Sequence, residues 1–351
     1  MSRFLHSRYQ NMEPYTPGEQ PQARKYIKLN TNESPYAPSP RVLEAINRTE
    51  AEQLRLYSDP EARALVNAIA HRYGVDRSQV MVGNGSDEIL AFCYMAFGER
   101  GFRYPQISYG FYPVFAETFG VDGQAVALKE DFTIDIDDYK NAGRTVLIAN
   151  PNAPTGICLS RSQVEEIVAS NPDDVVIVDE AYVDFGGESS VGLLSKYDNL
   201  VVVQTFSKSR NLAGARLGFA LTSPELAEDL NKMKFSFNPY NVNRLSIVAG
   251  AAAMEDEAYF QECTGRIRKT REKTAQFLSD LGFTVLPSSA NFLFVKPGTM
   301  GGTEYFTRLR EEGSLVRHWS DPRIVDFVRV TIGSEEEMER FCMVTKILVE
   351  G

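Results

Sequence analysis

Lys208 follows closely on an apolar run, Leu200-Val201-Val202-Val203, inside the segment Thr205-Phe206-Ser207-Lys208-Ser209. Lysine seldom enters apolar surroundings without a purpose, and an amine placed there can form a Schiff base with an aldehyde. The hydroxyls of Thr205 and Ser207, with the guanidinium of Arg216 eight residues after the lysine, suit a phosphate. A lone Ser-Lys pair reads more simply as a solvated basic loop, and it is the neighbouring motifs that reverse this reading.

The first of these is Val178-Asp179-Glu180-Ala181-Tyr182, which sets a carboxylate just past another apolar run. Asp179 has the type and place of a helix N-cap. A buried aspartate is costly unless a cation or hydrogen bonds hold its charge, and a protonated pyridine nitrogen is such a cation. The carboxylate in turn keeps that nitrogen protonated, making the ring a better electron sink. Tyr182, three residues on, is placed to donate to a phenolic oxygen of the same ring.

Three weaker motifs accompany them. Gly83-Asn84-Gly85-Ser86-Asp87-Glu88 joins a strand to a helix, where Gly85 permits close backbone approach. The free amides of Ser86 and Asp87 there can face a phosphate, although an ordinary capped turn looks the same. Asn150-Pro151-Asn152-Ala153-Pro154-Thr155-Gly156 reads as a rigid loop able to present an amide to a ring. Tyr109, in Ser108-Tyr109-Gly110-Phe111-Tyr112, can stack on a planar ring or simply fill a core.

The elements that must position these residues are apolar runs separated by helical stretches. Runs at 80–82, 145–149, 175–178 and 200–203 end at Gly83, Asn150, Asp179 and Gln204. Continuous apolar strands of this length predict a buried, mostly parallel sheet and an α/β architecture. Ligands collect at the carboxyl ends of such strands, where every motif above lies. A helix is expected over 61–73, stopped by Gly74, and a long helical region over 244–281. Short strands at 283–286, 291–295 and 327–331 suggest a smaller α+β domain. The division expected is an arm over 1–35, which joins the small domain and the substrate pocket, a large domain over 36–242 and a small domain over 243–351.

The 351 residues are 43% hydrophobic and 24% charged, with a net charge of −10. That composition predicts a soluble globular protein and argues against nucleic acid or an anionic membrane as partner. No run approaches the roughly 18 apolar residues of a membrane span, and the first 11 residues lack the apolar core of a secretory signal. Four scattered cysteines fit a reducing cytoplasm, and three dispersed histidines make no metal site.

Taken in order, these motifs resemble those of fold-type I aminotransferases dependent on pyridoxal 5'-phosphate, over nearly the whole chain. Four further segments are similar to the histidinol-phosphate aminotransferases within that group: Leu29-Asn30-Thr31-Asn32-Glu33-Ser34-Pro35-Tyr36, Leu56-Tyr57-Ser58-Asp59-Pro60, Leu315-Val316-Arg317-His318 and Val328-Arg329-Val330-Thr331-Ile332-Gly333. The resemblance implies Lys208 as covalent carrier of the cofactor and proton shuttle, Asp179 beside the pyridine nitrogen and Tyr182 beside the phenolic oxygen. It implies Tyr109 stacked on the ring. The amides of Ser86 and Asp87, after Gly85, would hold the phosphate together with Ser207 and Arg216. Tyr57 would reach the cofactor phosphate of a partner subunit in a homodimer. Arg329 would take the α-carboxylate of glutamate, Arg317 the substrate phosphate, and Tyr15 and Asn32 would line the substrate pocket. The family pattern has asparagine immediately before Pro-Thr-Gly, where this chain has Ala153, so the ring contact is expected from Asn152. The implied reaction moves an amino group between glutamate and a phosphorylated imidazole ketone. A threonine-phosphate decarboxylase or an aromatic-amino-acid aminotransferase of the same fold shares most motifs. A non-catalytic regulator would need an added DNA-binding segment, and a plain nucleotide-binding domain would need a G-x-G-x-x-G or Walker sequence.

Overall fold

A computed structural model describes residues 2–21 and 25–350. Seven strands make the large sheet: β1 (Val80–Gly83), β2 (Phe102–Pro105), β3 (Gly123–Val126), β4 (Thr145–Ala149), β5 (Val176–Asp179), β6 (Leu200–Thr205) and β7 (Gly218–Leu221). Their spatial order is β1-β7-β6-β5-β4-β2-β3. All pairings are parallel except those of β7, which runs antiparallel to both β1 and β6.

The central strands are apolar on both faces because both faces are covered. Val146, Ile148, Val176, Val178 and Val202 enter one core cluster, while Leu147, Ala149, Ile177, Val201 and Val203 enter another on the opposite side. Alternate side chains point to opposite faces of a strand, so two buried faces need a continuous apolar run. The outer strand β3 has only one neighbour and is largely exposed.

A second, four-stranded antiparallel sheet is built from Thr284–Val285, Phe292–Lys296, Arg317–His318 and Val328–Thr331, named β8 to β11 in chain order. Its order is β10-β11-β9-β8. Leu293, Val295, Val328 and Val330 pack in a third core with Ile267 and Leu278 of the helix Glu257–Asp280 and with Met338 and Phe341 of the helix Glu335–Glu350. The early segment joins this core through Leu29, and Ile27–Lys28 pairs parallel with Ser314–Leu315.

The helical region expected as one piece over 244–281 is two helices, Arg244–Glu255 and Glu257–Asp280. Asp256 breaks the run at φ −95°, ψ 66°, and its carboxylate accepts from the amide of Tyr259 to cap the second helix. Ile247, Ala249, Ala253 and Met254 of the first helix pack in the core of the large sheet, with Leu65 and Ile69 of the helix Arg63–Tyr73. No helix among the described residues is long and apolar enough to cross a membrane.

Candidate active site

Ala149, Asp179 and Thr205 are the last residues of β4, β5 and β6, and all three line one cavity of about 410 Å³. Lys208, Ser86, Asp87, Ser207, Arg216, Tyr109, Tyr182, Tyr15, Asn32, Arg317 and Arg329 line the same cavity. The sheet therefore delivers the motif residues to one carboxyl-end crevice.

Lys208 Nζ donates to the carbonyl of Thr31 at 3.2 Å. Burial draws the amine down to about 8, with Arg329 pushing in the same direction and Glu33 and Asp87 opposing. A substantial fraction of it is thus neutral and nucleophilic near neutral to mildly alkaline pH. Asp179 is 5% exposed, and burial pushes its carboxyl up to about 6. The Tyr112 hydroxyl donates to it at 2.9 Å and the Ala181 amide at 3.2 Å, and no cation pairs with it among the described residues. A buried carboxylate that faces a cavity with only neutral donors fits a ligand that carries a positive charge to it.

One end of the cavity is shaped for a phosphate. The helix Ser86–Phe97 begins at Gly85, whose φ of +86° takes the left-handed region that glycine tolerates, and no side chain caps its first turn. A Cβ on Gly85 would lie 2.6 Å from the guanidinium of Arg216. Arg216 itself has φ 52°, ψ 62°. Its Nη2 donates to Asp87 at 3.1 Å and its Nη1 to the Ser207 hydroxyl at 3.4 Å, and Ser207 pairs with Thr205 at 3.0 Å. Free amides, hydroxyls and a guanidinium converge as an anion requires. The aldehyde-reactive lysine, the uncompensated buried aspartate and this cup together fit pyridoxal 5'-phosphate: Lys208 for its aldehyde, Asp179 for its ring nitrogen, the cup for its phosphate.

Tyr109 lines the cavity and donates to Asp87 at 2.7 Å, so Asp87 ties the aromatic wall to the phosphate cup. Tyr182 accepts from Asn32 Nδ2 at 2.9 Å, which leaves its own O–H free to donate. Asn32, at φ 55°, is fixed in turn by Thr331 and Asn291. Tyr15 stacks on Phe111 at 4.3 Å. Arg317 and Arg329 stand directly opposite each other on β10 and β11. Arg317 donates to the carbonyls of Thr16 and Pro17, and Arg329 to that of Asn30. The Nε of Arg329 is buried without a partner.

Two expected residues lie elsewhere. Asn152 is not on the cavity wall. Its Nδ2 donates to the Ile107 carbonyl and to Thr155, and its Oδ1 accepts from Ser108. Its amide is spent on holding the 150–156 loop, and Ala153 and Pro154 line the cavity in its stead. Asn152 thus holds the loop and does not face the cavity as the expected ring contact would require. Tyr57 is 81% exposed and stacks on Tyr240 at 4.4 Å, outside the cavity of its own chain. Tyr112 and the side chain of Asp87 are site residues that the sequence reading passed over. The signal for Tyr112 was its spacing of three from Tyr109 at the start of the helix Phe111–Phe119.

Residues 24–344 match the model of the class I and II aminotransferases. The chain is 49% identical over 354 residues to a histidinol-phosphate aminotransferase of Brachyspira hyodysenteriae, covering all of both chains. It is 50% identical to one of Clostridium botulinum, over 97% of each chain. Its structure resembles that of a histidinol-phosphate aminotransferase of Sinorhizobium meliloti in complex with pyridoxal-5'-phosphate, with a TM-score of 0.86 and 26% identity over 93% of this chain and 92% of that one. The chain belongs to the histidinol-phosphate aminotransferases, a group of the pyridoxal-phosphate-dependent class I and II aminotransferase family.

Proposed function

We propose that this chain transfers an amino group from L-glutamate to imidazole-acetol phosphate, giving 2-oxoglutarate and L-histidinol phosphate, with pyridoxal 5'-phosphate held on Lys208. One observation carries the chemistry: a lysine with a lowered pKa and a buried aspartate without a cation line one cavity beside a phosphate cup. The choice of substrate rests on identity near 50% to histidinol-phosphate aminotransferases along the full chain.

When bound, the cofactor supplies an aldehyde for amines and a pyridinium ring that draws electrons from bonds at the amino-bearing carbon. The chain supplies the rest. Asp179 would hold the charge opposite the ring nitrogen, and the O–H of Tyr182, left free by the bond from Asn32, would donate to the ring's phenolic oxygen. Lys208 Nζ would take the proton from the substrate α-carbon, a role suited to an amine near 8. The amides of Ser86 and Asp87, with Ser207 and Arg216, fix the phosphate. Arg329 takes the α-carboxylate through its unpartnered Nε, and Arg317 takes the second anion, a carboxylate of glutamate or the phosphate of the other substrate. Tyr15 and Asn32 close the substrate side. Tyr57, too far out to serve its own cavity, reaches the phosphate cup of a second subunit in a homodimer.

The test is a donor panel on the purified holoenzyme. L-histidinol phosphate is expected to exceed phenylalanine and threonine phosphate in kcat/KM by at least about a hundredfold, a preference of the size that differences in substrate contacts produce. Release of carbon dioxide from threonine phosphate, or a preference for phenylalanine, would overturn the assignment of substrate.

A further inference from the structure

Arg317 and Arg329 are cross-strand neighbours, and both line the cavity. Among the described residues no carboxylate forms an ion pair with either. Like charges directly opposite on a ladder repel. The carbonyls of Thr16, Pro17 and Asn30 accept from their outer nitrogens, and a carboxylate in the remaining place beside them would neutralise the pair and compete with an anionic substrate.

Trp319 occupies that place. It lies two residues beyond Arg317, just past the end of the strand Arg317–His318, and it lines the cavity. Its ring centroid is 5.8 Å from Arg317 Cζ and 5.4 Å from Arg329 Cζ, within reach of cation–π attraction for both. Phe292 lies 5.2 Å from Arg329 Cζ, so two aromatic rings are within cation–π reach of the Arg329 guanidinium. The indole is itself fixed: Phe294 meets it edge to face at 6.1 Å, and Phe327 stacks on Phe294 at 4.8 Å.

We propose that Trp319 is a positioning residue, the shared neutral platform that sets the spacing of Arg317 and Arg329 for two substrate anions. This rests on the reading that these arginines bind the anions. An aromatic face attracts both cations without neutralising either, so the pair stays available to a carboxylate or a phosphate.

The experiment compares Trp319→Leu and Trp319→Phe in the holoenzyme. For Trp319→Leu, the KM of glutamate is expected to rise about tenfold with kcat within about twofold of the parent, the size of two lost cation–π contacts. Trp319→Phe is expected to keep KM within about threefold. Trp319 is the single tryptophan of the chain. Glutarate, a dicarboxylate that lacks the amino group, is therefore expected to change the emission of the parent enzyme saturably. An unchanged glutamate KM in Trp319→Leu, an equal loss in both variants, or an emission blind to glutarate would overturn the proposal. The glutamate half-reaction tests the platform alone. Failure of histidinol phosphate as a substrate would overturn the proposed activity and leave this inference standing.

Discussion

The carboxylate of Asp179 is buried with a phenol and an amide for company, and burial raises its pKa from the ordinary aspartate value to about 6. In the cofactor-free protein the folded state binds this proton more tightly than the unfolded chain does. The penalty is therefore absent below the unfolded value of 3.8 and fully present once pH exceeds about 6. Asp179→Asn removes it, and is expected to stabilise the cofactor-free protein at pH 8 by on the order of 2–3 kcal/mol, with little effect at pH 3.5. The same substitution is expected to lower kcat/KM by about a thousandfold or more, because the ring nitrogen loses its counter-charge. Thermal unfolding at the two pH values and steady-state kinetics check the two halves. Lys208 titrates in the opposite sense: its neutral form grows as pH rises through about 8. Capture of pyridoxal phosphate by the cofactor-free protein is expected to quicken over that interval, and stopped-flow absorbance would read it.

At the scale of elements, the turn from β1 into the helix Ser86–Phe97 decides the phosphate cup. Gly85→Ala puts a methyl group against Arg216 and asks an L-residue to hold φ +86°. The expected result is cofactor affinity weakened about tenfold or more, measured by equilibrium titration with pyridoxal phosphate, with Gly74→Ala, another positive-φ glycine with open space around it, as the control for strain alone. The strands that end at this cup were legible in the sequence where they are buried on both faces, as β4, β5 and β6 are. The run at 80–82 announced β1 as well, whereas β2, β3 and β7 were not legible. Phe102–Pro105 carries Arg103 and a proline, Gly123–Val126 is a short exposed edge, and Gly218–Leu221 begins at a glycine whose Cβ would strike Ser86. Strand periodicity is weak over four residues, and an edge strand needs no apolar run. Lys208, Asp179 and Arg216 could be found because each breaks a local rule about where charge belongs. The hydrogen bonds that reach Tyr182 from Asn32 and Asp87 from Tyr109 join residues 150 and 22 positions apart, and no local pattern announces them.

Across the whole molecule, the cavity is closed on one side by residues 15–18 and 30–33 and on the other by the large sheet. Arg8 donates to the carbonyl of Thr118, while Glu19 pairs with Arg310, so the early segment is anchored to both the large-sheet layer and the small-sheet layer. Leu54, Leu56, Tyr57, Phe237 and Tyr240 leave an exposed apolar surface around the Tyr57–Tyr240 stack. Large exposed apolar groups so placed are the mark of a protein–protein interface. Sedimentation is expected to give twice the chain mass of 39.3 kDa. Tyr57→Phe is expected to leave that mass unchanged and to weaken cofactor affinity about tenfold, because it removes one hydrogen bond to a charged phosphate. A monomer with full activity would refute the role given to Tyr57.

The covalent attachment at position 208 bears most directly on the whole reading. Borohydride reduction of the holoenzyme, followed by peptide mapping, is expected to place the reduced pyridoxyl group on Lys208 and on no other residue, and Lys208→Ala is expected to lose both the label and turnover. A label on a different lysine, or turnover surviving in Lys208→Ala within about tenfold of the parent, would contradict it.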